Sequence, residues 1–331
     1  MTARVYEHGK RLALGAGATS VHWLGDAAYF ALGDGALKLA SAEGAGARHE
    51  LHDGAILCAA PHPDGKRLLT GGDDGALKAV SETGEAETLL KTRGKWIDHV
   101  AANANSGVIV AGVGKEAIVF RNGAEAHRFT HATSVGGLAL DAKGRRLATT
   151  HYGGATLRLV LAADDKGTSL NWAGSHLNVT LSPEGDYLVT AMQENELHGW
   201  RLPDKIDLRM SGYAAKTRSF SWDKRGRWLA TSGADRAVLW PFVGKLGPQG
   251  KQPMLLGQRE ALVTAVAFHP SEDVLAIGYS DGVCVLARLS DEAVMDMDEA
   301  GEGAVTALAW NGVGNLLALG DEAGRGAIIQ I

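Results

Sequence analysis

Over 331 residues one pattern recurs: an apolar alternating strand, a turn, a second apolar strand, a Gly/Asp turn and a third strand. Its clearest copies are AILCAAPHPDGKRLLTGGDDGALKAV (55–80), RSFSWDKRGRWLATSGADRAVLW (218–240) and VTAVAFHPSEDVLAIGYSDGVCVL (263–286). The apolar residue that opens the third strand falls at Leu37, Leu77, Ile118, Leu157, Leu197, Val238, Val283 and Ile328, at intervals of 40, 41, 39, 40, 41, 45 and 45. Chance alternation does not keep such spacing. One such unit cannot bury its own faces, so units must stack, and several strands per period of about 40 residues point to propeller blades.

Within a unit the strands follow from period-two alternation bounded by turn residues. In the seventh, Val266 and Phe268 point one way, while Ala265 and Ala267 point the other. Asp281-Gly282, Asp74-Gly75 and Asp34-Gly35 suit a hairpin because both residue types accept positive φ at low cost. A fourth strand is expected before each following unit, at 47–52, 85–92, 125–131, 168–173, 206–211, 253–257 and 292–298. The eighth such strand is expected at Arg4–His8, pairing with the final strand 326–331 so that no edge is left unpaired. The pattern therefore predicts an all-β, eight-bladed propeller of four-stranded blades, with seven blades as the alternative, in a single domain spanning 1–331.

Composition narrows the partners. Gly at 44 of 331 residues, without collagen or linker periodicity, fits many tight turns. A net charge of −5 gives no global pull toward nucleic acid or membrane. The charge is uneven, with nine Lys/Arg against four Asp/Glu in 201–240 and two against eight in 287–325. The only cysteines, Cys58 and Cys284, lie inside strand patterns and suggest no disulfide framework. No secretory leader or long apolar span is evident, so a cytoplasmic monomer is expected.

The phrases PHPDGKRLLTGGDDG (61–75) and SPEGDYLVTA (182–191) resemble the WD-repeat β-propeller family, and the resemblance extends over essentially the whole chain. In that family His, Ser/Thr, Asp and Trp of one repeat form a structural hydrogen-bonded network. Repeat two offers His52, Thr70 and Asp74 with Val80 in the Trp place; repeat five offers Thr190, Glu194 and Trp200. Repeat six offers Thr231, Asp235 and an early Trp240; repeat four offers His131 and Thr149 with Gly153 at the Asp place. No repeat carries all four.

Motifs for chemistry are sparse. His62 and His269 occupy equivalent His-Pro turns, and none of the 12 histidines shows zinc-ligand spacing. The acidic stretch 291–302 lacks calcium-loop order and reads as an outer strand with a solvated flank. The run 223–227 (DKRGR) reads as a solvated turn. No nucleophile motif or helix-capped glycine loop is present. The expectation is a non-enzymatic scaffold that binds another protein, with no cofactor, metal, nucleic acid or membrane. The alternative is a propeller enzyme or metal-handling accessory protein with its site at the channel mouth. The family resemblance implies that the turn between the second and third strands and the residues before the first strand share one face. Those places hold Asp73, Lys95, Trp96, Tyr152, His176, Gln193 and Lys216, with Arg218 just inside a first strand. Trp96 either anchors a partner there or packs between blades.

Overall fold

A computed structural model describes residues 9–244, 246–298 and 301–331. Every regular element within them is a β-strand, and the neighbouring strands within each sheet pair antiparallel. Repeat two shows the plan, with strands Ile56–Pro61, Leu68–Gly72, Ala76–Val80 and Ala86–Lys91 hydrogen-bonded in that order. The Asp-Gly turns form as the residue types dictate. The Asp74 carboxylate accepts the Ala76 amide at 2.9 Å, and the Asp281 carboxylate accepts the Val283 amide at 3.1 Å. Gly75 at φ +77° has no substitute, because a Cβ there would lie 2.4 Å from the Thr92 hydroxyl and 2.8 Å from the Lys95 carbonyl.

Among the described residues seven sheets form, six of four strands and one of six. The expected set of eight separate four-stranded sheets is thereby corrected to the alternative count of seven. The reason lies in repeats four and five. The strand Thr168–Leu181 runs unbroken from the last strand position of repeat four into the first of repeat five, so both repeats share one sheet. The strand Arg146–Leu159 likewise covers two strand positions. Its early part pairs with Gly137–Leu140, and its later part pairs with residues 168–175. A bond from the Val160 amide to the Arg145 carbonyl, at 2.9 Å, ties its two ends.

The chain separates into two compact bodies. One comprises residues up to Gly33, Leu37–His49 and Gly212–Ile331; the other comprises Asp34–Ala36 and Glu50–Ser211. In the first body the closing pair is Gly9–Ala13 with Arg325–Gln330, in register from Gly9↔Ile329 to Ala13↔Arg325. The closing strand thus lies later than Arg4–His8, which falls outside the described residues. The other fourth strands stand near their expected places, although that of repeat one is Gly44–Glu50.

Cores form where successive sheets face one another. Val266 and Phe268 pack with Leu239 and Leu256 of repeat six, whereas Ala265 and Ala267 pack with Val305, Leu317 and Leu319 of repeat eight. The opposed directions expected from alternation are therefore both buried. In the second body Leu77, Ile97, Ile109 and Phe120 join repeats two and three, and Ala148, Leu170, Leu188 and Trp200 join repeats four and five. Burying both sheet faces is what makes each repeat depend on its neighbours.

Polar groups reinforce the first body. First strands bulge at Thr264 and Thr306. A bulge re-aims its extra side chain. The Thr264 hydroxyl donates to the Val305 carbonyl and that of Thr306 to the Ala18 carbonyl, each at 2.6 Å. The indoles of Trp310 and Trp23 donate to the Ala267 and Ala309 carbonyls at 3.0 and 2.9 Å. Neighbouring first strands are thus stitched by side chains where no backbone ladder joins them.

Candidate interaction surface

The second body carries most of the expected surface residues. Successive strands run up and down, so turns between second and third strands emerge at the same end as the links into first strands. At that end the link through Lys95 and Trp96 is fastened to the turn through Asp73. The Ile97 amide donates to the Gly72 carbonyl at 3.0 Å, the Thr92 amide donates to the Gly75 carbonyl at 2.8 Å, and the Thr92 hydroxyl donates to the Lys95 carbonyl. Trp96 is 62% exposed on this pinned loop, so the between-blade packing alternative is not what the structure shows. Lys95 is exposed beside it, and Asp73 is half-buried over Gly54.

A second group surrounds Ser175. Tyr152 pairs with Ser175 in the sheet register, its amide is held by the Thr133 hydroxyl at 3.2 Å, and its ring is 68% exposed. The Gln193 amide donates to the Ser175 carbonyl at 2.9 Å, leaving its side chain exposed. In the first body Lys216 is half-buried and Arg218 exposed, the latter's amide held by the Ser232 hydroxyl at 3.1 Å.

His176 is corrected. It is only 1% exposed, with Nδ1 2.7 Å from the Thr190 hydroxyl and Nε2 3.1 Å from the Trp172 carbonyl. A carbonyl can only accept, so Nε2 carries the ring proton toward Trp172, and in the neutral ring Nδ1 accepts from the Thr190 hydroxyl, which also lies 3.0 Å from the His198 carbonyl. Burial holds the His176 pKa below the usual histidine value. It is an internal strut beside Trp200, with ring centroids 5.8 Å apart.

Related struts appear in other repeats. In repeat two His52 bridges Asp74 at 3.0 Å and Thr70 at 2.9 Å, with Val80 buried in the Trp place. In repeat six Tyr213 takes the histidine's part: its hydroxyl meets Thr231 Oγ1 and receives the Trp240 indole N–H, both at 2.7 Å. Tyr213 was not singled out from sequence, yet it precedes Thr231 by 18 positions, as His52 precedes Thr70. Repeat four has the same residue types without the bond. The Thr149 hydroxyl has no partner, and His131 faces the Arg158 guanidinium at 3.4 Å; burial, with that charge adding to it, lowers the His131 pKa to about 4.

Turn residues at the other strand ends are likewise structural. His269 Nε2 donates to the Gly314 carbonyl at 2.9 Å, while Nδ1 accepts the Ser271 and Glu272 amides. Within 223–227, Asp223 is buried and accepts the Trp228 amide at 2.8 Å, and Arg227 reaches Asp273 at 3.0 Å. That run is a turn braced at Asp223 and Arg227, with Lys224 and Arg225 exposed to solvent as expected. Among the described residues, no group of three His, Cys, Asp or Glu side chains converges to hold a metal ion.

Comparisons with known proteins agree with this architecture. Residues 266–331 match the family described as the anaphase-promoting complex subunit 4 WD40 domain, and residues 47–79 match the WD domain, G-beta repeat. The chain is a WD-repeat β-propeller. The crystal structure of the computationally designed Ika8 protein superimposes on this WD-repeat chain with a TM-score of 0.77, at 16% identity and over 96% of each chain. At that identity the likeness concerns the fold alone. No curated protein matches the WD-repeat chain in sequence.

Proposed function

We propose that this protein is a non-enzymatic, cytoplasmic scaffold that binds another protein through turns of the second body. WD-repeat propellers generally mediate protein–protein interaction, though a fold does not by itself assign a function. The observation that carries the reading is Trp96, 62% exposed on a loop fastened by backbone hydrogen bonds. A large aromatic surface left in water is unfavourable unless something covers it, and a pinned loop loses little freedom on binding. Lys95 beside it and Asp73 on the adjoining turn supply the polar rim that such an anchor usually has.

Affinity purification from the source cell, followed by titration of the captured protein, tests the reading. Trp96→Ala should weaken binding by about 2 kcal/mol, whereas Lys95→Ala should have a smaller effect that disappears at high salt. Melting temperatures of both variants should match the parent. Unchanged affinity for Trp96→Ala would remove this loop from the interface.

A further inference from the structure

The opposite strand ends of the second body hold a groove of about 780 Å³ between the turns of repeats three and four. Three cations line it: Arg121 ends a third strand, and Lys143 and Arg145 lie in the first turn of repeat four. All three are exposed, and none makes an ion pair among the described residues. Their neighbours differ, since Arg128 is paired with Glu116 and Glu125, and Arg146 with Asp141. Acids near the rim are largely committed to the backbone. Asp141 accepts the Arg145 and Arg146 amides, and Asp165 accepts those of Leu159 and Gly167; Asp164 stands exposed in the following turn.

The same groove displays Leu159, 57% exposed, and Leu161, 41% exposed, while Val160 between them is buried at 1%. Its floor is built. The Asn105 side-chain amide donates to the Ala142 carbonyl at 3.1 Å, and that of Asn103 reaches the Asp141 and Ala142 carbonyls at 3.2 Å. Gly144 fits against Ser106 so closely that a Cβ would lie 2.1 Å from its hydroxyl. Unpaired cations and exposed leucines on a braced floor complement a ligand that is both anionic and apolar.

We propose that this groove binds an acidic segment of a partner protein, with carboxylates on Arg121, Lys143 and Arg145 and an apolar side chain against Leu159 and Leu161. Opposite charge steers such a segment into place, and the leucines give the bound state apolar contact. Nucleic acid fits less well. No aromatic lines the groove to stack a base, and the chain's net charge is −5. The site shares no residue with the Trp96 surface.

The test uses the full-length protein and a fluorescein-labelled peptide rich in Glu and Asp around two leucines, read by anisotropy. Saturable binding that weakens with salt is expected. Arg121→Glu with Arg145→Glu should lower affinity by about tenfold or more, and Leu159→Ser with Leu161→Ser should lower it while retaining the salt dependence. Trp96→Ala should bind the peptide as the parent does. Circular dichroism melts of every variant should be unchanged, because these side chains are exposed. Equal binding by the charge-reversed protein would overturn the proposal, as would equal binding of a peptide with serines for leucines. Tighter binding of a single-stranded oligonucleotide, lost in the same charge-reversed variant, would assign the groove to nucleic acid instead.

Discussion

Removing one oxygen, by Tyr213→Phe, offers a sharp test of how the struts work. In repeat six the protons can be placed without ambiguity. The Thr231 hydroxyl donates to the Val238 carbonyl at 3.0 Å, so it can only accept from Tyr213, and the Trp240 indole N–H can only donate. Protons therefore run in one direction, from Trp240 to Tyr213 to Thr231 to Val238. All three side chains are buried, and burial raises the Tyr213 pKa to about 12, so its hydroxyl keeps its proton through neutral pH. In the Tyr213→Phe variant the Trp240 N–H is stranded without a partner, which costs about 1–3 kcal/mol; losing the Thr231 bond adds about 1 kcal/mol, for a total of about 2–4 kcal/mol. Urea denaturation followed by tryptophan fluorescence measures this, fitted as two transitions if the two bodies unfold separately. The stranded donor should vanish in a Trp240→Phe background, so the pair should cost about 1–2 kcal/mol less than the sum of the single changes. A Tyr213→Phe cost below about 0.5 kcal/mol, or strict additivity with Trp240→Phe, would refute the directed chain.

Two further outcomes follow from described geometry. Deleting residues 1–13 removes the partner of Arg325–Gln330 and should lower stability by several kcal/mol, read as a lower thermal midpoint; an unchanged midpoint would contradict the closing pair. Acid should destabilise the fold before its carboxylates titrate, because burial lowers the pKa values of His22 and His131 to about 4, with the Arg158 charge adding to the effect at His131. Each such histidine is charged in the unfolded chain below its ordinary value of 6.5 but stays neutral in the fold down to about 4. Stability must therefore fall as pH drops through that window, by up to about 1.4 kcal/mol per unit for each group. Flat stability between those pH values would show that the rings are already solvated.

The repeat was legible because its signal is periodic and its cause is burial on both sheet faces, as Val266 and Ala265 demonstrate by packing in opposite directions. The joined sheet was not legible. The same alternation that marks two strands in Thr168–Leu181 gives no sign of whether the link between them bends away or continues in extended form. The family resemblance placed Tyr152 and Trp96 on one face and left Trp96 open between partner anchor and blade packing; the structure exposes both rings. His176 was misplaced because the residues before a first strand were expected to form an exposed link, whereas here they continue the strand Thr168–Leu181 and the ring fills the histidine place beside Thr190. The shared spacing of 18 would have found Tyr213, had a phenol been admitted where the family resemblance implies an imidazole. Spacing alone was still insufficient, since His131 and Thr149 keep it and form no bond. The basic groove escaped notice because its cations come from separate turns and form no run.

The closing pair has a consequence for how the protein is made. Strand Gly9–Ala13 leaves the ribosome before every other described strand, whereas its partner Arg325–Gln330 is the last described strand to be made. The contacts Trp23 to Ala309 and Thr306 to Ala18 likewise span 286 and 288 positions. The second body, nearly continuous from Glu50 to Ser211, has all its partners in hand long before then. Order of emergence and order of completion are therefore inverted: the N-terminal strands must wait, with apolar faces uncovered, while the middle of the chain folds. Proteolysis of stalled nascent chains should find the segment 50–211 protected before the first repeat; simultaneous protection would show that the two bodies fold as one. During that interval the N-terminal repeat is where a chaperone would be needed.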